Sequence, residues 1–371
     1  MRIIVSKNHL FAKLRTVGKI VKPSKELAYG SFLFEITDTQ TLFVTGCDES
    51  GQISTIIECD IQDPENICFL LDAQMILNSL KELSEQPIEI EIKQAEKAVS
   101  VVIHYHNGKF EMAGSDPALF PKMPDRSASQ SFVINSKVLK KGLALGKFAS
   151  NDELRPILST VNLSCSAGVL SFAATSGSVL GIYEESEHQV AEEINVNIPG
   201  KISKIVSDLL QAEADIEIEY DSRSILFKID NYNVQYRLFE GKYPNFRSVI
   251  PSSSKIQVRV NCEDLIAAIN RVSIFADDHS SLVKFELSNN NMILTSQSIE
   301  YGRSAKEDIF LDTVYEDFEI GFKSNLLSDV LKSIESKECF INLTSSSKAA
   351  LFVPADRSDS QFILMPMQVN N

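Results

Sequence analysis

Cysteine and histidine are the side chains here best suited to metal or redox chemistry, and their spacing argues against both. Cys47, Cys59, Cys68, Cys165, Cys262 and Cys339 include no C-x-x-C pair, and no histidine cluster joins them. A zinc site needs several converging ligands and a disulfide framework needs paired spacing, so buried free thiols are the expectation. His104 and His106 fall on one face of a strand, but two ligands without a third do not hold a metal. Thr175-Ser-Gly-Ser178 could present a nucleophilic serine, yet no histidine lies in a partner context, and a turn at a strand end is the plainer reading. The chain has no G-x-S-x-G, H-E-x-x-H, Walker loop or dinucleotide fingerprint. No metal or other cofactor is therefore expected. An enzyme remains only as the rival class.

The other stretch with chemical content is the C-terminal segment Gln361-Phe-Ile-Leu-Met365-Pro366-Met367. Terminal residues are usually polar and loose. Here an apolar run suited to a strand continues almost to the end, and Pro366 then removes an N–H and stops ladder pairing. Met365 and Met367 flank the proline. Methionine is flexible and polarizable, and it recurs on surfaces that accept several partners. The segment is either a last core strand with a short tail or one edge of a peptide-binding groove.

The bounds on the rest come from composition. At 371 residues, with 44% hydrophobic and 23% charged side chains, the chain reads as a globular protein of two or three domains. No apolar run reaches the length of a membrane span, and the start shows no signal-peptide pattern. A cytoplasmic protein without a membrane is the expectation. Net charge is −14, which argues against a simple nucleic-acid binder but leaves room for one whose positive charge is confined to one surface.

Internal repetition organises the elements. Arg2–Leu10, Phe132–Leu139 and Ile256–Leu265 each run from a short alternating strand through a polar residue into an amphipathic helix, and their leucines recur 129 and 126 residues apart. A second strand-to-helix junction recurs at Ile67–Leu80, Val196–Leu210 and Phe318–Leu331. Alternating runs such as Ile88–Ile92, Ile216–Tyr220 and Val283–Leu287 supply further strands, with turns at Asn107-Gly108 and Asn289–Asn291. The fold class expected is α+β: three tandem units, each with two helices packed on antiparallel sheets, over residues 1–127, 128–252 and 253–371.

The helices lean basic and the strands acidic. Over Lys137–Phe148, at 100° per residue, Lys137, Lys140, Lys141 and Lys147 fall within an arc of about 120°, away from most of the apolar positions. In the first helix Leu10, Leu14, Val17 and Val21 form an apolar stripe that leaves Lys13, Arg15 and Lys19 outside it. Lys201 and Lys204 lie opposite Ile202, Ile205, Val206 and Leu209. The third unit offers only Arg271 and Lys332. Such faces are either ordinary solvated surfaces or, if they converge in space, a basic lining.

Three tandem α+β units ending in Met365-Pro-Met367 resemble the bacterial sliding clamps, the beta subunits of DNA polymerase III. Met1–Leu14, Phe120-Pro121, Phe148–Leu158 and Gly241-Lys-Tyr-Pro-Asn-Phe-Arg247 are similar to family segments in the same order. The resemblance implies a non-catalytic subunit of the polymerase holoenzyme, a head-to-tail homodimer closing a ring of six similar domains. Helices would line the hole, and double-stranded DNA would be held through its phosphates without base readout. It points the basic residues above, together with Lys25 and Arg155, at DNA. It implies a groove for short linear peptides of the replicative polymerase, the clamp loader and repair factors. The matching positions are Leu158, Thr175, Gly177, Leu180, Pro244, Val249, Ile363, Met365, Pro366 and Met367. The family's Thr-Asp-Gly-His-Arg-Leu is replaced here by Thr175-Ser176-Gly177-Ser178-Val179-Leu180, which keeps the apolar floor and drops the rim charges. Phe110 and Met112 would face Ile274 and Phe275 across the dimer interface. A protein-only scaffold is the remaining alternative.

Overall fold

Short alternating strands that run straight into capped helices recur along the chain. The computed structural model describes residues 1–22, 28–95, 98–121, 123, 130–152, 154–186 and 193–369. In chain order, β1 (Arg2–Ser6) enters α1 (Lys7–Val17). β2 (Ser31–Ile36), β3 (Thr41–Cys47), β4 (Gly51–Glu58), β5 (Asp60–Gln62) and β6 (Ile67–Asp72) follow, and β6 enters α2 (Ala73–Lys81). Next come β7 (Pro87–Ala95), β8 (Ala98–Tyr105), β9 (Gly108–Gly114) and β10 (Gln130–Asn135), with β10 entering α3 (Ser136–Ala144). β11 (Thr160–Ser166), β12 (Val169–Thr175), β13 (Val179–Glu185) and β14 (Ile194–Pro199) lead to α4 (Gly200–Leu209). β15 (Asp215–Tyr220), β16 (Ser224–Ile229) and β17 (Tyr232–Arg237) precede β18 (Ile256–Asn261), which enters α5 (Cys262–Ser273). The long strands β19 (Leu282–Ser298) and β20 (Arg303–Lys323) lead into α6 (Ser324–Ser333), and β21 (Glu338–Leu343), β22 (Ala350–Pro354) and β23 (Ser360–Leu364) end the series.

Six strand-to-helix junctions thus stand where the repeats placed them. Side-chain caps open three of these helices. In β1, Ile3 and Val5 turn inward while Arg2, Ile4 and Ser6 turn out, as the two-residue period of a half-buried strand requires. Ser6 then caps α1, its side-chain oxygen accepting from the His9 N–H at 3.2 Å. Asp72 caps α2 through the Met75 N–H at 2.6 Å, and Asn261 caps α5 through the Asp264 N–H at 3.1 Å. The three leucines that set the repeat spacing, Leu10, Leu139 and Leu265, are each fully buried.

The chain divides into two units: Met1–Lys137 with Asp208–Leu238, and Val138–Ser207 with Phe239–Asn371. In the first, the described strands form a five-stranded sheet ordered β5-β1-β7-β8-β9 and an eight-stranded sheet ordered β10-β15-β16-β17-β4-β3-β2-β6. The eight-stranded sheet joins distant segments of chain, with Val234 of β17 opposite Ile53 of β4. In the second, an eight-stranded sheet runs β14-β11-β12-β13-β23-β22-β21-β18, and β19 pairs with β20. Here too the join is long-range: Leu180 of β13 lies opposite Ile363 of β23.

Two helices depart from the expected wheels. α1 stops at Val17 and Gly18 closes it, its N–H donating to the Leu14 carbonyl at 2.7 Å; Val21 lies beyond the helix. α3 stops at Ala144, and Leu145–Phe148 forms a tighter 3-10 turn, so Lys147 does not share the 100° wheel of Lys137, Lys140 and Lys141.

Candidate functional site

The apolar positions expected to form a groove gather in the second unit. Ile363 of β23 sits between Leu180 of β13 and Leu351 of β22. Leu180 and Ile363, each 4% exposed, form a cluster with Ala173, Ile182 and Tyr243, against which Ile157, Phe246, Ile250 and Leu351 pack. Burial pushes the Tyr243 hydroxyl up to about 12. Adjoining it through Ile157 is an open cavity of about 400 Å³, lined by Leu154, Arg155, Pro156, Ile157, Leu158, Phe239, Glu240 and Pro244. That volume falls within the range of about 300–1,000 Å³ common for ligand sites.

The expected set divides by role. Leu158 and Pro244 line the cavity. Leu180 and Ile363 lie beneath it in the core. Val249 stands exposed at the end of the 3-10 turn Phe246–Val249. Thr175 and Gly177 shape the β12–β13 turn: the Thr175 hydroxyl donates to the Val179 carbonyl at 2.7 Å and accepts from the Gly177 N–H at 3.0 Å. Gly177 has φ +92°, a conformation that side chains disfavour. Ser176 and Ser178 occupy this turn, and Val179 is buried. Ser178 engages the tail through its backbone: its carbonyl accepts the Met365 N–H at 2.9 Å. Met365 is 46% exposed, and Pro366 and Met367 are half-buried.

Tyr243, Ile157, Leu154 and Phe239 were missed from the sequence. Pro156 and Leu158 flank Ile157 closely enough to have implicated it. Phe239 follows β17 in chain order, but its N–H donates to the Asn197 carbonyl of β14 at 3.1 Å, a contact no local pattern announces. Arg155, expected to face DNA, lines the cavity and lies 3.8 Å from Asp152.

The cationic positions also divide. Lys141 does not offer a free charge. Its side chain is 17% exposed, its ammonium lies 2.6 Å from Asp359 and 3.6 Å from Glu335, and it sits 4.5 Å from the Tyr183 ring centre. Lys137 pairs with Glu213 at 2.6 Å and Lys19 with Asp208 at 2.7 Å, both in exposed positions. Lys13 lies over the Tyr232 ring at 4.4 Å, and burial lowers its pKa. Lys147 is lowered too, chiefly by lost hydration. Arg15, Lys140, Lys201 and Lys204 are exposed. Lys25 lies outside the described residues. Arg271 pairs with Glu307.

Phe110 and Met112 lie on β9, the last strand of its sheet. Phe110 is half-buried beside Tyr105, with ring centres 4.8 Å apart, whereas Met112 is already buried within its own unit. Ile274 and Phe275 follow α5 and are 70% and 40% exposed.

The thiols are only partly as expected. Cys59 and Cys68 are half-buried rather than buried. Burial pushes Cys47 up to about 12 and Cys59 and Cys68 up to about 11. Cys262 and Cys339, 77 residues apart in sequence, hydrogen-bond each other, which lowers Cys262 and raises Cys339. Among the described residues no group of three or more His, Cys, Asp or Glu could hold a metal ion, and no helix is long and apolar enough to cross a membrane.

The second unit thus combines a mostly apolar cavity, flanked by Arg155 and Glu240, with a tail whose Met365 is exposed. Residues 133–245 match the central domain of the DNA polymerase III beta subunit and residues 247–368 its C-terminal domain. The Beta sliding clamp of Staphylococcus epidermidis (strain ATCC 12228 / FDA PCI 1200) is 26% identical over 380 residues, covering 99% of both chains. That of Staphylococcus aureus (strain N315) is 27% identical over 377 residues, covering 98% of both. In fold, the chain is similar to the sliding clamps of Bartonella birtlesii, solved bound to griselimycin (TM-score 0.90, 22% identity), and of Bacillus subtilis (TM-score 0.88, 24% identity), each over 100% of both chains. The chain belongs to the DNA polymerase III beta subunit family, the bacterial sliding clamps, and is a non-catalytic replication factor.

Proposed function

We propose that this chain closes as a head-to-tail homodimer around double-stranded DNA in the cytoplasm, with 1–127, 128–252 and 253–371 as its three clamp domains. In this reading the ring holds DNA topologically and non-specifically, and tethers the replicative polymerase, turning a bimolecular rebinding step into an intramolecular one. Arg15, Lys140, Lys201 and Lys204 are exposed cations that reach phosphates in this reading, and Lys13, Lys19, Lys137 and Lys147 contribute beside their neighbours. Phe110 on the β9 edge faces Ile274 and Phe275 of the second copy, and two such contacts close the ring. The polymerase, the clamp loader and repair factors dock short peptides in the groove formed by the cavity, Val249 and the Met365–Met367 tail.

The observation that carries the docking reading is the mostly apolar cavity adjoining the Leu180–Ile363 core through Ile157, together with a tail whose Met365 is exposed, a combination suited to an extended peptide's apolar anchor. A fluorescence-polarisation titration with a labelled peptide from the replicative polymerase's C-terminus tests it. Saturable binding that Val249→Asp abolishes is expected; unchanged binding by that variant puts the peptide elsewhere.

A further inference from the structure

The methionine tail is held at two points of unequal firmness. At one end the Met365 N–H donates to the Ser178 carbonyl at 2.9 Å. Ser178 belongs to a turn already fixed by the two hydrogen bonds of the Thr175 hydroxyl. At the other end the Met367 N–H donates to the Gly321 carbonyl at 2.8 Å, and Gly321 and Met367 form an isolated antiparallel bridge. Pro366, which has no N–H to donate, lies between the two anchors.

Gly321 is interior to β20, where glycine is normally unfavourable and often marks the close approach of another backbone. On one side it pairs with Lys284 of β19. On the other lies the tail. A Cβ built on Gly321 would stand 2.7 Å from Leu282 Cδ1, 2.9 Å from Val369 Cγ2 and 3.4 Å from the Met367 carbonyl oxygen. Leu282 belongs to the paired strand β19. Val369 and Met367 belong to a segment bridged to β20 at a single residue. An added side chain must therefore be met by a shift of the Leu282 methyl on one side and of the singly bridged tail on the other.

We propose that Gly321 is a positioning residue for the peptide groove: its bare Cα seats Met367 and Val369, and that seat fixes the path of the Met365-Pro366-Met367 wall. The inference rests on the groove reading above. Gly321 itself touches no peptide. It acts through the tail, so its effect depends on the Val369 methyl groups that a new Cβ would meet.

That dependence sets the test. The labelled polymerase peptide is titrated against the full chain, Gly321→Ala, Val369→Ala and the double variant, with Val249→Asp as the groove control. Gly321→Ala is expected to weaken binding about tenfold, the scale of disturbing one interface anchor. Val369→Ala alone, which loosens the seat without crowding it, should weaken binding less than Gly321→Ala does, and adding Val369→Ala to Gly321→Ala should recover part of the lost affinity, because Leu282 Cδ1 still stands 2.7 Å from the new Cβ. Weakening that Val369→Ala does not rescue overturns the proposal, because it shows general damage to β20. Undiminished binding by Gly321→Ala overturns it as well. If Val249→Asp binds like the parent, the groove reading itself fails, and the seat loses its role with it.

Discussion

A lysine's surroundings decide whether its charge is available to a phosphate. Lys141 shares the α3 face with Lys137 and Lys140, yet its ammonium is committed to Asp359 and Glu335 and is mostly covered. Removing a charged hydrogen bond in a partly buried position costs about 1–2 kcal/mol. Lys141→Met should therefore lower stability to urea by about that amount, whereas Lys204→Ala should leave stability unchanged and weaken DNA retention. A Lys141→Met protein as stable as the parent but poor at holding DNA would reverse this assignment. Gly177 permits a cleaner test. Nothing lies within 4 Å of a Cβ built there, and φ is +92°, so Gly177→Ala isolates backbone strain. Urea unfolding should show a loss of about 1 kcal/mol; no loss would mean that the turn adopts another conformation at little cost.

At the scale of elements, the tail is tied to the fold more firmly than its sequence suggests. Deleting Met365 onward removes the hydrogen bonds to Ser178 and Gly321 and uncovers the Gly321 face of β20. The truncated protein should lose peptide binding, keep its DNA retention and show a small drop in melting temperature; unchanged peptide affinity would remove the tail from the groove. The six strand-to-helix junctions were legible in the sequence because their determinants are local: an apolar strand run, in three of them Ser6, Asp72 or Asn261 as a cap, then an apolar stripe. The sheet partners were not legible. Opposing Val234 to Ile53, or Leu180 to Ile363, requires contacts across more than 180 residues that no spacing encodes. The same limit applies to the candidate site. Leu158, Pro244 and the tail stood out by motif, while Tyr243 and Phe239 joined only through the fold. The wheel that grouped Lys141 with Lys137 and Lys140 shows charge without its partners, and Asp359 and Glu335 come from far along the chain.

For the whole molecule, a net charge of −14 and a DNA-binding role are compatible if cations are concentrated on one surface and acids elsewhere. Strand carboxylates such as Glu217 and Glu219 are answered locally by Lys228, and pairs of that kind contribute little to long-range attraction. Assembly rests on a few apolar side chains, since the anchors of an interface dominate its energy. Ile274 and Phe275 are exposed and add little to their own unit's core, so alanine at both should give a folded monomer by size-exclusion chromatography with light scattering. A persistent dimer would place the interface elsewhere. The central claim is topological, and it is tested most directly by loading the protein onto nicked circular DNA with the clamp loader, isolating the complex and cutting the circle once. Retention on the circle through a wash at raised salt, with loss on linearisation, is the predicted result. Equal retention on circular and linear DNA would contradict it, because a protein held by surface contacts does not sense the ends.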